Sequence, residues 1–224
     1  MNLKFQTSAM LFSSIFVFAY VQTSNAQSTQ SKILEQHLRN VTLKERSINL
    51  ALATIAREYQ IPIGIEMSVN SDYPVNREIE LDFKDATLPE VLNSIVKQDP
   101  RYSWKTVDDV INFYPSVSQD ALLRDLLETR IGEFSFANHE SVYRLRYSVV
   151  ELPEIRAKLS RAGVAPQVVA YTGIDFEKMY RDFSFTTSDV ILREILNRLI
   201  RESDWKFWIV NRIGEKKEFF LLNF

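Results

Sequence analysis

The 224-residue sequence contains no cysteine. Disulfides, thiolate metal ligands and the lipid-accepting cysteine of a lipoprotein leader are therefore excluded, and the redox character of the compartment leaves no trace. Glycine is scarce, with five residues at 64, 132, 163, 173 and 214. No glycine-rich loop of the kind that cradles a phosphate at a helix N-terminus can be drawn from them. The two histidines, His37 and His139, each lie in a polar segment, without the short-spaced His and carboxylate neighbours of a metal site. No G-x-S-x-G nucleophile turn occurs. Neither sign of charge dominates, 27 Lys and Arg standing against 29 Asp and Glu. A nucleic-acid surface needs clustered Lys and Arg, and the local "RLR" at 144–146 is too little. Adjacent Asp108 and Asp109 could be posed as the carboxylate pair of a hydrolase, but neighbours in a strand point to opposite faces and a turn accounts for both. The reading is non-catalytic, with no metal and no cofactor expected.

Long apolar runs are also missing. The one near the start, "AMLFSSIFVFAYV" (9–21), falls short of the roughly 20 residues that cross a bilayer. Lys4 precedes it, and "SNAQ" comes after it, placing Ser24 and Ala26 at the −3 and −1 positions of a leader-peptidase site. The pattern predicts a signal peptide over residues 1–26, a mature chain starting at Gln27 without a membrane span, and a periplasmic or other extracytoplasmic location. Residues 27–40 open with the polar "QSTQS" and are expected to be a mobile tail.

Aromatic residues are plentiful: fifteen Phe, nine Tyr and three Trp suffice for a core. "VTL" (41–43) reads as a strand. "INLALATIAREYQ" (48–60) spaces Ile48, Leu52, Ile55 and Tyr59 along one face of a helix with Ser47 as N-cap. "IPIGIEM" (61–67) alternates as a strand, and "REIELDF" (77–83) is a second one with a single buried face. "TLPEVLNSIVKQ" (87–98) begins with Thr87 three residues before Glu90, a capping box, and Pro89 fits its first turn. "YSWKTV" and "VINFYP" flank Asp108-Asp109 as a hairpin.

The string I-x-x-A-L-x-x-I-A (48–56), I-x-I-x-I (61–65), I-E-L-D-F-K-D-A-T-L-P-E-V-L-N-S-I (79–95) and a closing W…I-N-F (104–113) resembles the short N-terminal domain shared by secretins and TonB-dependent transducers. It covers about a third of the chain, residues 41–115. The resemblance implies a small periplasmic α/β sandwich of two strand–helix–strand motifs that contacts other envelope proteins. The barrel of a secretin or receptor is not implied, since too little chain lies beyond residue 115 for its many strands.

The chain beyond residue 115 reads as a diverged second copy. "EVLNSIVKQ" (90–98) returns as "EILNRLIRE" (194–202), three letters identical at an offset of 104. The alternating strand before it and the aromatic hairpin after it recur in the same order. Residues 116–132, containing "ALLRDLLETR", are expected as a connecting helix, and residues 133–224 as the second domain. Within that domain "EFSF" (133–136), "VYRLRY" (142–147) and "QVVAYT" (167–172) read as strands, and "ELPEIRAKLSRAG" (151–163) as a helix. Phe183, Phe185 and Asp189 stand where Ile79, Leu81 and Asp85 stand. Ile191 replaces Thr87, so Ser188 or Asp189 is expected to cap the repeated helix. "WKFWIV" (205–210), a turn at Gly214 and "EFFLLNF" (218–224) close the chain. The expected fold class is α/β, as two similar small lobes of strand–helix–strand units, each a sheet covered by helices.

The residues support two functional expectations. One is an exported protein–protein interaction module, accessory or regulatory to a secretion, transport or signalling system, whose partner is another cell-envelope protein. Its candidate docking element is the strand Ile61, Ile63, Gly64 and Ile65, read as a weakly guarded sheet edge because Glu66 is its only charge. The alternative is a small-ligand or cell-wall-glycan binder with an aromatic cleft between the lobes, for which Trp205 and Trp208, on opposite faces of one strand, are the candidate exposed residues.

Overall fold

Alternation and helical spacing divide the chain into two runs of elements with one plan. The computed structural model describes residues 32–67, 77–116, 121–136, 142–167, 184–213 and 219–223. The leader, the tail through Ser31, residues 168–172 of the expected strand, His139, Phe183 and the turn at Gly214 lie outside them. After a short 3-10 turn, Lys32–Glu35, the first half runs β1 (His37–Glu45), α1 (Ile48–Tyr59), β2 (Ile63–Glu66), β3 (Ile79–Thr87), α2 (Leu88–Gln98), β4 (Tyr102–Val107) and β5 (Val110–Pro115). The second runs α3 (Ala121–Leu127), β6 (Arg130–Phe136), α4 (Val142–Val150), α5 (Pro153–Ala162), β7 (Ala165–Gln167), β8 (Phe185–Ile191), α6 (Leu192–Glu202), β9 (Phe207–Ile213) and β10 (Phe219–Asn223). The fold is α/β, as the alternation predicts.

Each half contains a two-stranded antiparallel ribbon, β1 with β3 and β6 with β8. The remaining strands form one mixed sheet that crosses both halves, in the order β4-β5-β2-β9-β10-β7. The expectation of a separate sheet for each half is corrected here: β2 of the first half pairs in parallel with β9 of the second. The faces of this sheet are divided between the halves. Ile63, Ile65, Ile111 and Phe113 enter one buried cluster with α1, α2 and the β1–β3 ribbon, while Val110, Trp208 and Val210 join the cluster of α3, α5, α6 and the β6–β8 ribbon. Alternation along the strands makes this possible, since adjacent residues face opposite sides.

The local signals explain most boundaries. Thr87 and Glu90 form the reciprocal box at the start of α2: the Thr87 N–H donates to Glu90 Oε2 at 2.7 Å and the Glu90 N–H to Thr87 Oγ1 at 3.4 Å. Asp108 and Asp109 both have positive φ, 52° and 60°, as a two-residue type I′ turn between twisted strands requires. Pro153 opens α5, and Gly163 ends it at φ 69°, the left-handed position that a residue without Cβ takes at least cost.

Five expectations differ. Residues 32–40, expected within a mobile tail, hold the short 3-10 turn and the start of β1, and the segment 116–132, expected as a connecting helix, is helical over Ala121–Leu127 before β6 begins at Arg130. Ser47 occupies the N-cap position of α1 with extended backbone but makes no side-chain cap bond. Neither Ser188 nor Asp189 caps α6, whose N-cap is Ile191; the Leu192 N–H is instead taken by the Thr129 carbonyl at 2.9 Å, as the Leu88 N–H is taken by Gln36 at 2.9 Å. "VYRLRY" is helical, because Leu145 and Val149, four apart and both buried, share a helix face that the local alternation of Val, Arg and Tyr obscures.

The repeated helices bury the same leucine. Leu92 and Leu196, 104 residues apart, are both fully buried. Leu92→Ala and Leu196→Ala should each lower stability by about 2–5 kcal/mol, the range for emptied leucine sites, measured by urea unfolding. Glu90 adds a pH dependence. The Thr87 backbone N–H, then its hydroxyl, hold the Glu90 carboxyl below the usual carboxylate range. With the folded pKa lowered, this stabilisation is complete above the unfolded carboxylate pKa and disappears as pH falls through the lowered value. Glu90→Ala should therefore destabilise the protein at neutral pH, and the difference from wild type should narrow as unfolding is measured into the acid range.

Candidate functional site

A strand rich in isoleucine with one glycine fits either an edge or the middle of a sheet. The structure puts Ile63, Gly64 and Ile65 in the middle. Strand β2 is hydrogen-bonded to β5 on one side and β9 on the other, Ile63 facing Ile111 and Phe207, and Gly64 facing Asn112 and Trp208. Ile61 precedes the strand and is fully buried. The docking edge expected at Ile61, Ile63, Gly64 and Ile65 is thus overturned: both rows of backbone groups are used within the chain. The apolar run reflects burial on both faces.

Gly64 is what lets the two halves meet. A Cβ built at this position would lie 2.1 Å from Trp208 Cε2 and 2.5 Å from its Nε1. The indole leans from β9 over the backbone of β2, so that only glycine fits beneath it. The Trp208 Nε1–H donates to Asn197 Oδ1 on α6 at 3.0 Å, which fixes the ring. Two residues along β2, buried Glu66 accepts from Arg193 Nη1 of α6 at 2.5 Å, and Arg193 Nε and Nη2 reach Glu128 Oε1 at 3.1 Å. A buried arginine between two carboxylates ties strand to helix across the halves, and its removal would leave Glu66 uncompensated.

Trp208 and Trp205 are both buried, Trp205 at 8% exposure. The expected exposed aromatic is corrected on geometric grounds. Strand β9 begins at Phe207, so Trp205 precedes the alternation; its ring packs edge-on against Phe136 with centroids 6.2 Å apart.

The outermost strands of the sheet are β4 and β7. Strand β7 carries Pro166, which has no N–H to offer. Strand β4 is six residues long and pairs only with β5 among the described residues. The turn-closing pair is Val107 with Val110, and narrow pairs alternate from there. Lys105 and Ser103 therefore bond inward to β5, leaving the N–H and C=O of Trp104 and Thr106 directed outward. Trp104 is half-buried, Lys105 exposed. The Trp104 Nε1–H donates to Asn93 Oδ1 on α2 at 3.1 Å, the same bond that Trp208 makes with Asn197, displaced by 104 residues at both ends. Sequence inspection reaches the repeated helix but not this pair, although identical Asn and Trp at the same offset are the signal for it.

His37 lies 3.5 Å from Asp85 on the exposed surface, and no three His, Asp or Glu side chains among the described residues are grouped to hold a metal. An open cleft of about 190 Å³ lies between α6 and the β4–β5 turn. In it Arg201 donates to the Asp108 carbonyl at 3.0 Å, and Arg198 lies 4.4 Å over the Phe185 ring while pairing with Glu202. No described helix is long and apolar enough to cross a membrane. The chain matches no protein-family model and no curated protein.

The glycine is the sharpest test of the joint. Gly64→Ala should destabilise the protein by about 1–3 kcal/mol, the usual cost of forcing extra carbon into a packed interior. Trp208→Leu in the same chain should recover part of that loss. The coupling is read from a double-mutant cycle in chemical unfolding, and strictly additive effects would show that the indole does not set the glycine requirement.

Proposed function

We propose that this chain is a non-catalytic, exported protein–protein interaction module of the cell envelope, and that it captures an extended segment of another envelope protein on the open edge of β4. The observation that carries the proposal is the contrast between two equivalent strands. Strand β9 has its outer edge filled by β2, whereas β4, at the same place in the first half, has Trp104 and Thr106 backbone groups with no strand beside them among the described residues. A six-residue row of this kind is a template for strand addition, in which main-chain bonds supply affinity and alternate side chains supply selectivity.

The resemblance to the secretin and TonB-transducer N-terminal domain supports the same reading. The first half runs through two strand–helix–strand motifs, the arrangement that the resemblance implies. Export rests on the leader-like residues 1–26. Trp205 and Trp208, the two residues named for the glycan-binding alternative, are buried, so the interaction-module reading is the better supported.

Thr106→Pro tests the edge. It removes an outward N–H without breaking the ladder to β5, and the preceding Lys105 already has the extended backbone that proline demands. The expected outcome is loss of about nine-tenths or more of the envelope partner recovered by pull-down and mass spectrometry, with a thermal midpoint close to wild type. Unchanged recovery with a folded variant would refute the β4 edge. By contrast, Gly64→Pro should unfold the protein, since β2 is bonded on both sides.

A further inference from the structure

Trp104 and Trp208 hold the same bond to the same residue of the same helix, yet one is covered and the other is not. In the second half, Asn197 is buried and Trp208 leans outward from β9 across the neighbouring strand, where it meets Gly64. In the first half, Asn93 is exposed and Trp104 half-buried. The place that Gly64 takes beside Trp208 corresponds, at Trp104, to the open side of β4.

We infer that the β4 edge selects a parallel extended segment with glycine beside Trp104 and an acidic residue immediately after it. This rests on the reading of β4 as the docking edge and adds the chemistry of its ligand. The direction comes from the joint, where β2 runs parallel to β9 with Gly64 opposite Trp208. Any residue with a Cβ at that place would meet the indole, as the 2.1 Å approach at Gly64 shows. The next ligand residue takes the position of Ile65, which lies beside Ile209 at the joint. The counterpart of Ile209, 104 residues earlier, is exposed Lys105. Its ammonium, 5.6 Å from the Tyr114 ring, favours a carboxylate at that position where the joint has isoleucine.

A second copy of the chain does not fit this edge as the first half fits β9. Phe207 and Ile209, on the side of β9 away from its own helices, pack into the first half's core. The corresponding residues of β4 are Ser103 and Lys105, which offer an incoming domain nothing apolar to cover. A single strand needs only the backbone row, the glycine gap and the lysine.

The probe is a synthetic peptide with the sequence of residues 61–67, Ile-Pro-Ile-Gly-Ile-Glu-Met, added to the mature full-length protein and monitored by amide hydrogen exchange in NMR spectra. Exchange at Trp104 and Thr106 should slow by about tenfold or more at saturating peptide, as the outward groups become paired. A peptide with valine in place of the glycine should give no protection. A peptide with glutamate in place of the isoleucine after the glycine should bind about threefold or more tightly, within the range of a surface ion pair, and Lys105→Ala should abolish that gain. Absence of protection by the parent peptide, or equal protection by the valine peptide, would overturn the inference. Indifference to the glutamate would remove its acidic part. If Thr106→Pro abolishes partner capture while glycine and valine peptides bind alike, the docking edge stands and the ligand rule falls. If the glycine peptide alone protects Trp104 yet Thr106→Pro leaves capture intact, the strand chemistry stands and the partner uses another surface.

Discussion

The parallel pairing of β2 with β9 is the constraint on which the rest of the structure depends. It turns two three-stranded sheets into one of six strands, and it works only because Gly64 leaves room for the Trp208 indole. Once the strands are joined, the two sides of the sheet must be covered from opposite directions. The first half's helices cover one face and the second half's the other, each cluster reaching past its own strands onto a strand of its neighbour. The Glu66–Arg193–Glu128 arrangement fixes this geometry with charge. A slip of one residue along β2 would put Glu66 on the opposite face of the strand, away from Arg193.

The second half has a definite relation to the first. Strand β2 runs with β5 and against β4, while β9 runs with β2 and against β10, which in turn runs with β7. Order is kept, direction is reversed, and the covered face is exchanged. A half-turn about the hydrogen-bonding direction with an advance of three strands produces all three changes. Such an operation does not close on itself, so it leaves two unlike ends, β4 and β7. An open head-to-tail arrangement must be stopped at its ends or it continues. Pro166 removes a donor from one end, and Lys105 with Ser103 deprives the other of an apolar landing surface.

Much of the fold is legible in the sequence where a single principle governs. Helix α1, the capping box of α2, the β4–β5 hairpin and the Pro-to-Gly extent of α5 come from local spacing and backbone preference. Legibility ends where tertiary contact decides. Alternation in "VYRLRY" is too short to outweigh the i,i+4 pair Leu145 and Val149. The run "IPIGIEM" carries the same letters whether it lies at an edge or in the middle, because periodicity records burial of a face and not the occupancy of its flanks. Of the candidate site, Gly64 stands out in the sequence, but as the mark of a joint rather than of an edge. A glycine inside an apolar strand signals close approach of another group, and here that group is the indole of its own chain.

Comparing the halves position by position separates what each needs for itself from what the joint needs. Glu90 and Glu194, Leu92 and Leu196, Asn93 and Asn197, Trp104 and Trp208 are identical at the common offset. Apart from the glutamates, which lie exposed in the first helical turns, these residues fill or brace each half's own core. Three of the differing positions lie at the joint: Pro89 against Arg193, Ser103 against Phe207, Lys105 against Ile209. In every case the second-half residue meets the first half, and its first-half counterpart has no such neighbour among the described residues. Arg193 would lose its buried partner without Glu66 beside it, and Phe207 and Ile209 would be a solvent-exposed apolar stripe without α1 above them. Trp104 is the exception to this division. It is tryptophan on the open edge although no described strand on that side requires it there, and it makes to Asn93 the bond that Trp208, beside a glycine, makes to Asn197.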